Sequence, residues 1–289
     1  GATHTRLNHS LGVFHIARRV MEHLLAHEEA PELSREGVKA FLAAALLHDL
    51  GHFPYTHSLK GLPLAEHESL TGRIVTESEL TPILREEVGA DPALVAAIVD
   101  DTFDHRNGEE LRLYRNLLSG SLDPDKLDYL NRDAYFCGVP YGLQDIDYVL
   151  SRLRPNGYDG TAVDITGVSA VENILFSKYQ MYRAVYWHRT VRVATAMIKK
   201  VLFMALRDGA LRATELYGLD DELFYGTLSE HAYQPLRLLR SVYNRRLYKV
   251  LLDLPFDPDN PNHQRIGPME GRYAFEEEVR LSLSKLIGR

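Results

Sequence analysis

The chain has 289 residues, with 33 basic and 40 acidic side chains, a formal net charge of −7 and 45% hydrophobic residues. That length supports one large core or a core with an appended lobe, and the acidic balance argues against strong nonspecific nucleic-acid binding, which needs a basic footprint. The apolar run Phe41 to Leu47 is far too short to span a bilayer, and the one cysteine, Cys137, cannot staple the chain.

No signal peptide opens the chain, so a cytoplasmic location and no membrane partner are expected. The first residues, Gly1–Ala2–Thr3–His4, lack an initiator methionine, which predicts further residues upstream.

Helical periodicity dominates, and the expected fold class is all-α in the main. A first helix is predicted from Arg6 to Glu29, stopped before Pro31. Ser34 is the expected N-cap of the next, with Leu33 and Val38 placed as a hydrophobic staple. Gly51 suits a left-handed residue that ends this helix. Residues 51–66 read as a loop, followed by helices near 66–78, 81–88 and 91–100 and a turn at 104–108. Asp123 and Pro124 resemble an N-cap with proline at the first helical position, and Gly138 and Gly142 break that helix. A small β-hairpin is expected within 154–167, then a long helix over 168–208, two shorter helices, a loop at 255–261 and a terminal helix near 275–286. This places a catalytic core at 1–150. Residues 151–289 carry the hairpin, the long helix that completes a substrate site and a helical C-terminal lobe.

Histidine is unevenly placed. Of 13 histidines, nine (4, 9, 15, 23, 27, 48, 52, 57 and 67) fall in the first 67 residues, where even spacing puts about three. Such clustering points to metal binding or acid–base chemistry. Four candidate ligands stand out: His9, the pair His48–Asp49, and Asp125. Imidazole nitrogen and carboxylate oxygen together suit one divalent ion such as Fe, Mn, Zn, Ni or Mg. His48 and Asp49 close an Ala/Leu-rich helix, where the partial negative charge of the helix end favours a cation. Asp125, Tyr129 and Asp133 recur every four residues, so one helical face carries two carboxylates and an aromatic ring. Lys178, Tyr182, Tyr186 and Arg189 likewise read as one face of the long helix. The bland alternatives are loop packing for His52, His57 and His67, core packing for the tyrosine stripe, and an ion pair with Arg132 or Lys126 for Asp133. The basic residues Arg237, Arg240, Arg245, Arg246 and Lys249 read as a solvated helix face, with nucleotide or nucleic-acid binding as the alternative.

Three segments, Thr5-Arg6-Leu7-Asn8-His9-Ser10-Leu11-Gly12, His48-Asp49-Leu50-Gly51-His52 and Asp123-Pro124-Asp125-Lys126-Leu127-Asp128-Tyr129, resemble the H…HD…D signature of the HD-domain metal-dependent phosphohydrolases. Their wording is closest to the deoxynucleoside triphosphate triphosphohydrolase branch, and the resemblance runs from residue 1 to about 250. It implies an HD-domain helical core in which His9, His48, Asp49 and Asp125 hold one divalent metal ion. It places His52, His57 and His67 at the reacting centre, with His57 as first choice for the general acid. Arg6, Lys126 and Lys178 are then phosphate contacts, Tyr129 packs on the sugar, Asp133 binds the 3′-hydroxyl and Tyr186 lies beside C2′. The expected substrate is a dNTP, cut to deoxynucleoside and triphosphate. The same resemblance implies a homo-oligomer, dimer or tetramer, and an activating nucleotide. Trp187 and Lys60 depart from the human member of the branch, which has a glutamine there and an acid that supports a catalytic histidine; Glu66 or Glu68 is the expected substitute for the latter. The rival expectations are an HD nucleotidase or phosphodiesterase, and a non-catalytic nucleotide-sensing or nucleic-acid-binding HD module.

Overall fold

The computed structural model describes residues 2–106 and 108–288, so Gly1 and Asn107 of the expected turn lie outside the described residues. In chain order the helices are α1 (Arg6–Leu25), α2 (Arg35–Leu47), α3 (His67–Glu77), α4 (Leu80–Pro82), α5 (Pro92–Val99), α6 (Gly108–Ser119), α7 (Pro124–Cys137) and α8 (Ile146–Ser151). Strands β1 (Leu153–Pro155) and β2 (Thr161–Val163) follow, then α9 (Val168–Met181), α10 (Arg189–Arg207), α11 (Asp221–Ser229), α12 (Leu238–Tyr243), α13 (Pro261–Arg265) and α14 (Met269–Ile287). The protein is mainly α-helical, and its hairpin is antiparallel, pairing Leu153 with Val163 and Pro155 with Thr161. Among the described residues no helix is long and apolar enough to cross a membrane.

The chain divides into two compact units. The first comprises Gly1–Thr56, Ala65–Arg192 and Leu216–Asp220; the second comprises His57–Leu64, Val193–Glu215 and Asp221–Arg289. The hairpin and α9 thus belong to the first unit.

In that unit the caps form where the sequence places them. Ser34 Oγ accepts from the Gly37 amide at 3.0 Å, and Leu33 and Val38 both pack on the core. Asp123 accepts from the Lys126 amide at 2.7 Å, Pro124 opens α7, and Gly138 closes it in the left-handed region at φ 67°. The core is built from α1 (Val13, Ile16, Ala17, Val20), α2 (Ala40, Phe41, Ala44), α5 (Leu94, Val95) and α7 (Leu127, Leu130). Phe41 stacks on Tyr114 with ring centroids 5.4 Å apart. Each such large apolar side chain contributes about 1.5–3 kcal/mol on burial. α1 packs against both α2 and α7, which brings the start of α1, the end of α2 and the start of α7 to one place.

α6, α8 and α13 are unexpected, the helix expected over 81–88 is α4 followed by a π-helical turn, Ile83–Val88, and three further elements differ from expectation. α1 ends at Leu25, where the Ala26 amide turns back to the His23 and Leu24 carbonyls; Glu28 and Glu29 follow, and negative charge is unfavourable at a helix C-terminus. The helix expected over 168–208 is two helices. A π-helical turn, Tyr182–Tyr186, follows α9, and Trp187 and His188 separate it from α10. The widened turn shifts the helical phase, so Arg189 does not continue the face of Lys178 and Tyr182. α14 starts at Met269 directly after Pro268, earlier than expected. The second unit has its own core, including Ile198, Val201, Leu202, Phe224, Leu236 and Leu239.

Candidate metal centre and substrate pocket

Thr5 caps α1 and leaves His9 in the second turn, facing α7. His9 Nδ1 lies 2.8 Å from Asp128 Oδ2, so that nitrogen donates and Nε2 faces Asp125 Oδ1 at 3.1 Å and Asp49 Oδ2 at 3.8 Å. Asp128 is held from its other side by Arg132, whose Nε and Nη2 donate to the two carboxylate oxygens at 2.8 and 2.7 Å. His48 caps the C-terminus of α2. Its Nδ1 donates to the Ala45 carbonyl at 3.0 Å, while Nε2 is buried with no hydrogen-bond partner, 3.3 Å from Asp49 Oδ1 and 3.8 Å from Asp125 Oδ1. Donor atoms of His9, His48 and Asp125 all lie within 4.8 Å of one another. Asp49 stands beside them, with Oδ2 also accepting from Arg6 at 2.8 Å.

These charges are strongly coupled. Burial opposes a charged ring at His9, yet hydrogen bonds to Asp125 and Asp128 outweigh it and raise its pKa to about 9. His48 is raised on the same balance, burial against Asp125 and Asp49. Burial also works against charged carboxylates, but the imidazoles of His48 and His9 hold Asp125 well below the usual range, and His52, His48 and Arg6 do so for Asp49. Two anionic oxygens converging with two ring nitrogens, one of them an orphaned buried acceptor, suit a divalent cation of borderline hardness.

The turn after α2 is fixed by Thr71, which is fully buried on α3. Its hydroxyl accepts from the Gly51 amide at 2.8 Å and donates to the His48 carbonyl at 2.9 Å. Gly51 does not take the left-handed conformation expected of it. It is required instead for close approach, because a Cβ there sits 2.1 Å from the His67 carbonyl oxygen and 2.6 Å from the Thr71 nitrogen. This packing sets His52 beside His67, ring centroids 4.0 Å apart. His52 Nε2 lies 3.1 Å from Asp49 Oδ1, and burial pushes His52 down to about 4, so its ring is neutral at pH 7. Glu68 Oε2 lies 3.0 Å from His67 Nδ1. His57 is exposed, on the 3-10 turn Thr56–Leu59, and belongs to the second unit.

The remaining candidates gather on α7 and α9. Tyr129 meets Tyr186 edge to face at 6.3 Å, and the Tyr186 hydroxyl donates to Asp133 Oδ2 at 2.6 Å. Tyr182 packs edge-on against Tyr186 at 5.1 Å and Trp187 at 5.4 Å. Asp133 pairs with neither Arg132 nor Lys126; its second oxygen lies 2.9 Å from His4 Nε2. The Lys126 ammonium pairs with Asp123 and donates to the Gly120 carbonyl at 2.9 Å. Lys178 is half-buried and makes no ion pair among the described residues. Asp128, Thr71 and His4 escaped sequence reasoning as contributors. Asp128 stands three residues after Asp125 on α7, a signal of a shared face; nothing local marks the other two.

Residues 6–133 match the HD domain and residues 149–277 match the HD associated region. The chain belongs to the HD-domain family. It is 38% identical to the uncharacterized protein YwfO of Bacillus subtilis, over 96% of this chain and 66% of that one. A crystal structure of a hypothetical protein from Aquifex aeolicus superposes with a TM-score of 0.68 at 32% identity, covering 86% of this chain and 65% of that chain. The deoxynucleoside triphosphate triphosphohydrolase SAMHD1 homolog of Dictyostelium discoideum is 24% identical, over 89% of this chain and 53% of that protein. The chain thus spans between half and two thirds of the length of these relatives.

Proposed function

We propose that the protein is a metal-dependent phosphohydrolase that cuts deoxynucleoside triphosphates to deoxynucleoside and triphosphate. The observation that carries this reading is the convergence of His9, His48 and Asp125 donor atoms within 4.8 Å, with Asp49 alongside. The aromatic pocket of Tyr129 and Tyr186 with Asp133, and the similarity to a SAMHD1 homolog, support the substrate class.

His9, His48, Asp49 and Asp125 are the residues to hold one divalent ion, from the set Fe, Mn, Zn, Ni or Mg. Bound there, the ion supplies charge stabilisation at a phosphoryl oxygen and lowers the pKa of a water. In the overall reaction a water oxygen bonds to the α-phosphorus, the bond from phosphorus to the 5′-oxygen breaks, and that oxygen takes a proton. Arg6, Lys126 and Lys178 offset phosphate charge. His57 is the proposed donor to the departing 5′-oxygen. His52, neutral at pH 7, and His67, backed by Glu68, orient groups or share proton transfer. Tyr129 and Tyr186 flank the sugar, crowding out a 2′-hydroxyl, and Asp133 accepts from the 3′-hydroxyl. The same reading includes assembly as a dimer or tetramer and activation by a nucleotide.

Incubating the pure protein with dGTP and each metal tests the assignment: intact triphosphate and deoxyguanosine are expected. Only diphosphate or single phosphates as products would sink it. A second reading, cleavage of a nucleoside monophosphate or a phosphodiester, is favoured by one observation. The Lys126 ammonium is already engaged by Asp123 and Gly120, which leaves fewer cations for a triphosphate tail.

A further inference from the structure

His4 precedes α1 and carries no role in the chemistry above, yet its half-buried ring packs against α7. Nε2 lies 2.9 Å from Asp133 Oδ1, the ring packs on Phe136 with centroids 4.7 Å apart, and Nδ1 is buried without a hydrogen-bond partner. Asp133 Oδ1 faces Nε2, so a proton sits on that nitrogen and donates to the carboxylate. On the opposite oxygen, Oδ2, the Tyr186 hydroxyl donates at 2.6 Å.

The consequence is geometric. A lone aspartate on a helix rotates about χ1 and χ2, whereas one gripped at both oxygens by donors from two other segments presents a fixed plane. Each oxygen accepts one donor and retains a lone pair, so a third donor meets an acceptor already oriented. The site therefore suits a ligand hydroxyl, which donates, and repels a phosphate oxygen, which cannot.

We infer that His4 is a specificity-determining positioning residue: by donating from Nε2 to Asp133 Oδ1, it fixes that carboxylate as the acceptor that discriminates a sugar 3′-hydroxyl from a 3′-deoxy sugar. This rests on the proposed role of Asp133 and adds to it the residue that sets its orientation. Phe136, one turn from Arg132 on the same helix, fixes the imidazole plane in turn.

The test compares the metal-loaded full chain with its His4→Ala and His4→Gln variants. Equilibrium binding of deoxyguanosine and 2′,3′-dideoxyguanosine is measured by calorimetry, and kcat/KM for dGTP and 2′,3′-dideoxy-GTP by product analysis. A hydrogen bond to a charged group corresponds to a wild-type preference for the hydroxylated ligand of about tenfold or more. His4→Ala is expected to cut that preference at least threefold, and His4→Gln, which retains a side-chain N–H, to restore most of it. A merely structural loss lowers both ligands equally and leaves the ratio unchanged; that result overturns the inference while the proposed activity stands. If no dNTP is cleaved but the binding preference exists and falls in His4→Ala, the activity fails and the inference survives. Absence of any binding preference in the wild-type protein overturns the inference as well.

Discussion

Asp128 Oδ2 stands 2.8 Å from Nδ1 of His9, on the side of the ring that faces away from Asp49 and Asp125. The contact sets which nitrogen carries the proton and leaves Nε2 as the donor atom for a metal. Arg132 holds Asp128 in place with two hydrogen bonds, so α7 carries one proposed ligand and, one turn on, the support for another. Carboxylate backing of a metal-binding histidine raises its basicity and fixes its rotation. Asp128→Asn is accordingly expected to weaken metal binding about 10–100-fold, with the helical fold retained. Calorimetric titration of Mn or Ni into metal-free protein measures it; unchanged affinity would discard Asp128 as a support.

Metal removal has a thermal signature. An ion that binds only the folded state stabilises it by about 2.7 kcal/mol at 100 times its Kd. Treatment with a chelator is expected to lower Tm, and re-addition of one divalent metal to restore it. His48→Ala, which removes the orphaned Nε2, should abolish the metal-dependent part of Tm. A chelator-insensitive Tm in wild-type protein speaks against the centre.

Thr71 bridges the two backbone groups that hold the His48–Gly51 turn. Thr71→Val keeps the shape and leaves the buried Gly51 N–H and the part-buried His48 carbonyl without that partner, at an expected cost of about 1–3 kcal/mol for the buried group. Chemical denaturation reads this directly, and a loss below the error of the measurement contradicts the clamp.

Gly51→Ala is a steric test of the same turn. The obstructing atoms are backbone, His67 O and Thr71 N, so relief requires α3 to move away from the turn. We expect a loss of about 3 kcal/mol, at the upper end for overpacking, together with reduced metal content. Gly226, where an added Cβ meets nothing within 4 Å, is the control position, and Gly226→Ala should leave both readings unchanged.

The two lysines should separate by behaviour. Lys178 makes no ion pair among the described residues, so Lys178→Ala is expected to leave Tm unchanged and lower kcat/KM for dGTP by about tenfold or more, the scale of one charged hydrogen bond. Lys126→Ala removes the partner of buried Asp123 and is expected to lower Tm as well. Equal Tm for both variants refutes the structural role of Lys126. Activity unaffected by either favours a substrate with fewer phosphates.

Much was legible locally. Ser34 and Asp123 are side chains whose oxygens meet an amide three residues on, so their sequence neighbours suffice to predict a helix start. Pro124, Gly138 and the hairpin follow from backbone preferences of single residues. The crowding of histidine before residue 67, and the carboxylates Asp49 and Asp125, marked out the residues that the structure brings together. The break after Tyr186 was not legible, because neither glycine nor proline stands between Tyr182 and Arg189 to mark it.

What the tertiary structure alone decided is pairing across distance. His9 and Asp128 are 119 residues apart, and Tyr186 and Asp133 are 53 apart. No periodicity or cap encodes such contacts. They depend on how closely two helices approach, and at Gly12 an added Cβ sits 1.8 Å from Asp128 Oδ1, so the Asp128 carboxylate keeps its place beside α1 only because that residue lacks one. Residue types and spacing thus named the proposed chemistry, a cation held by imidazole and carboxylate. Helix packing decided which groups support it, since a hydrogen bond forms only where long-range packing brings donor and acceptor within about 3 Å.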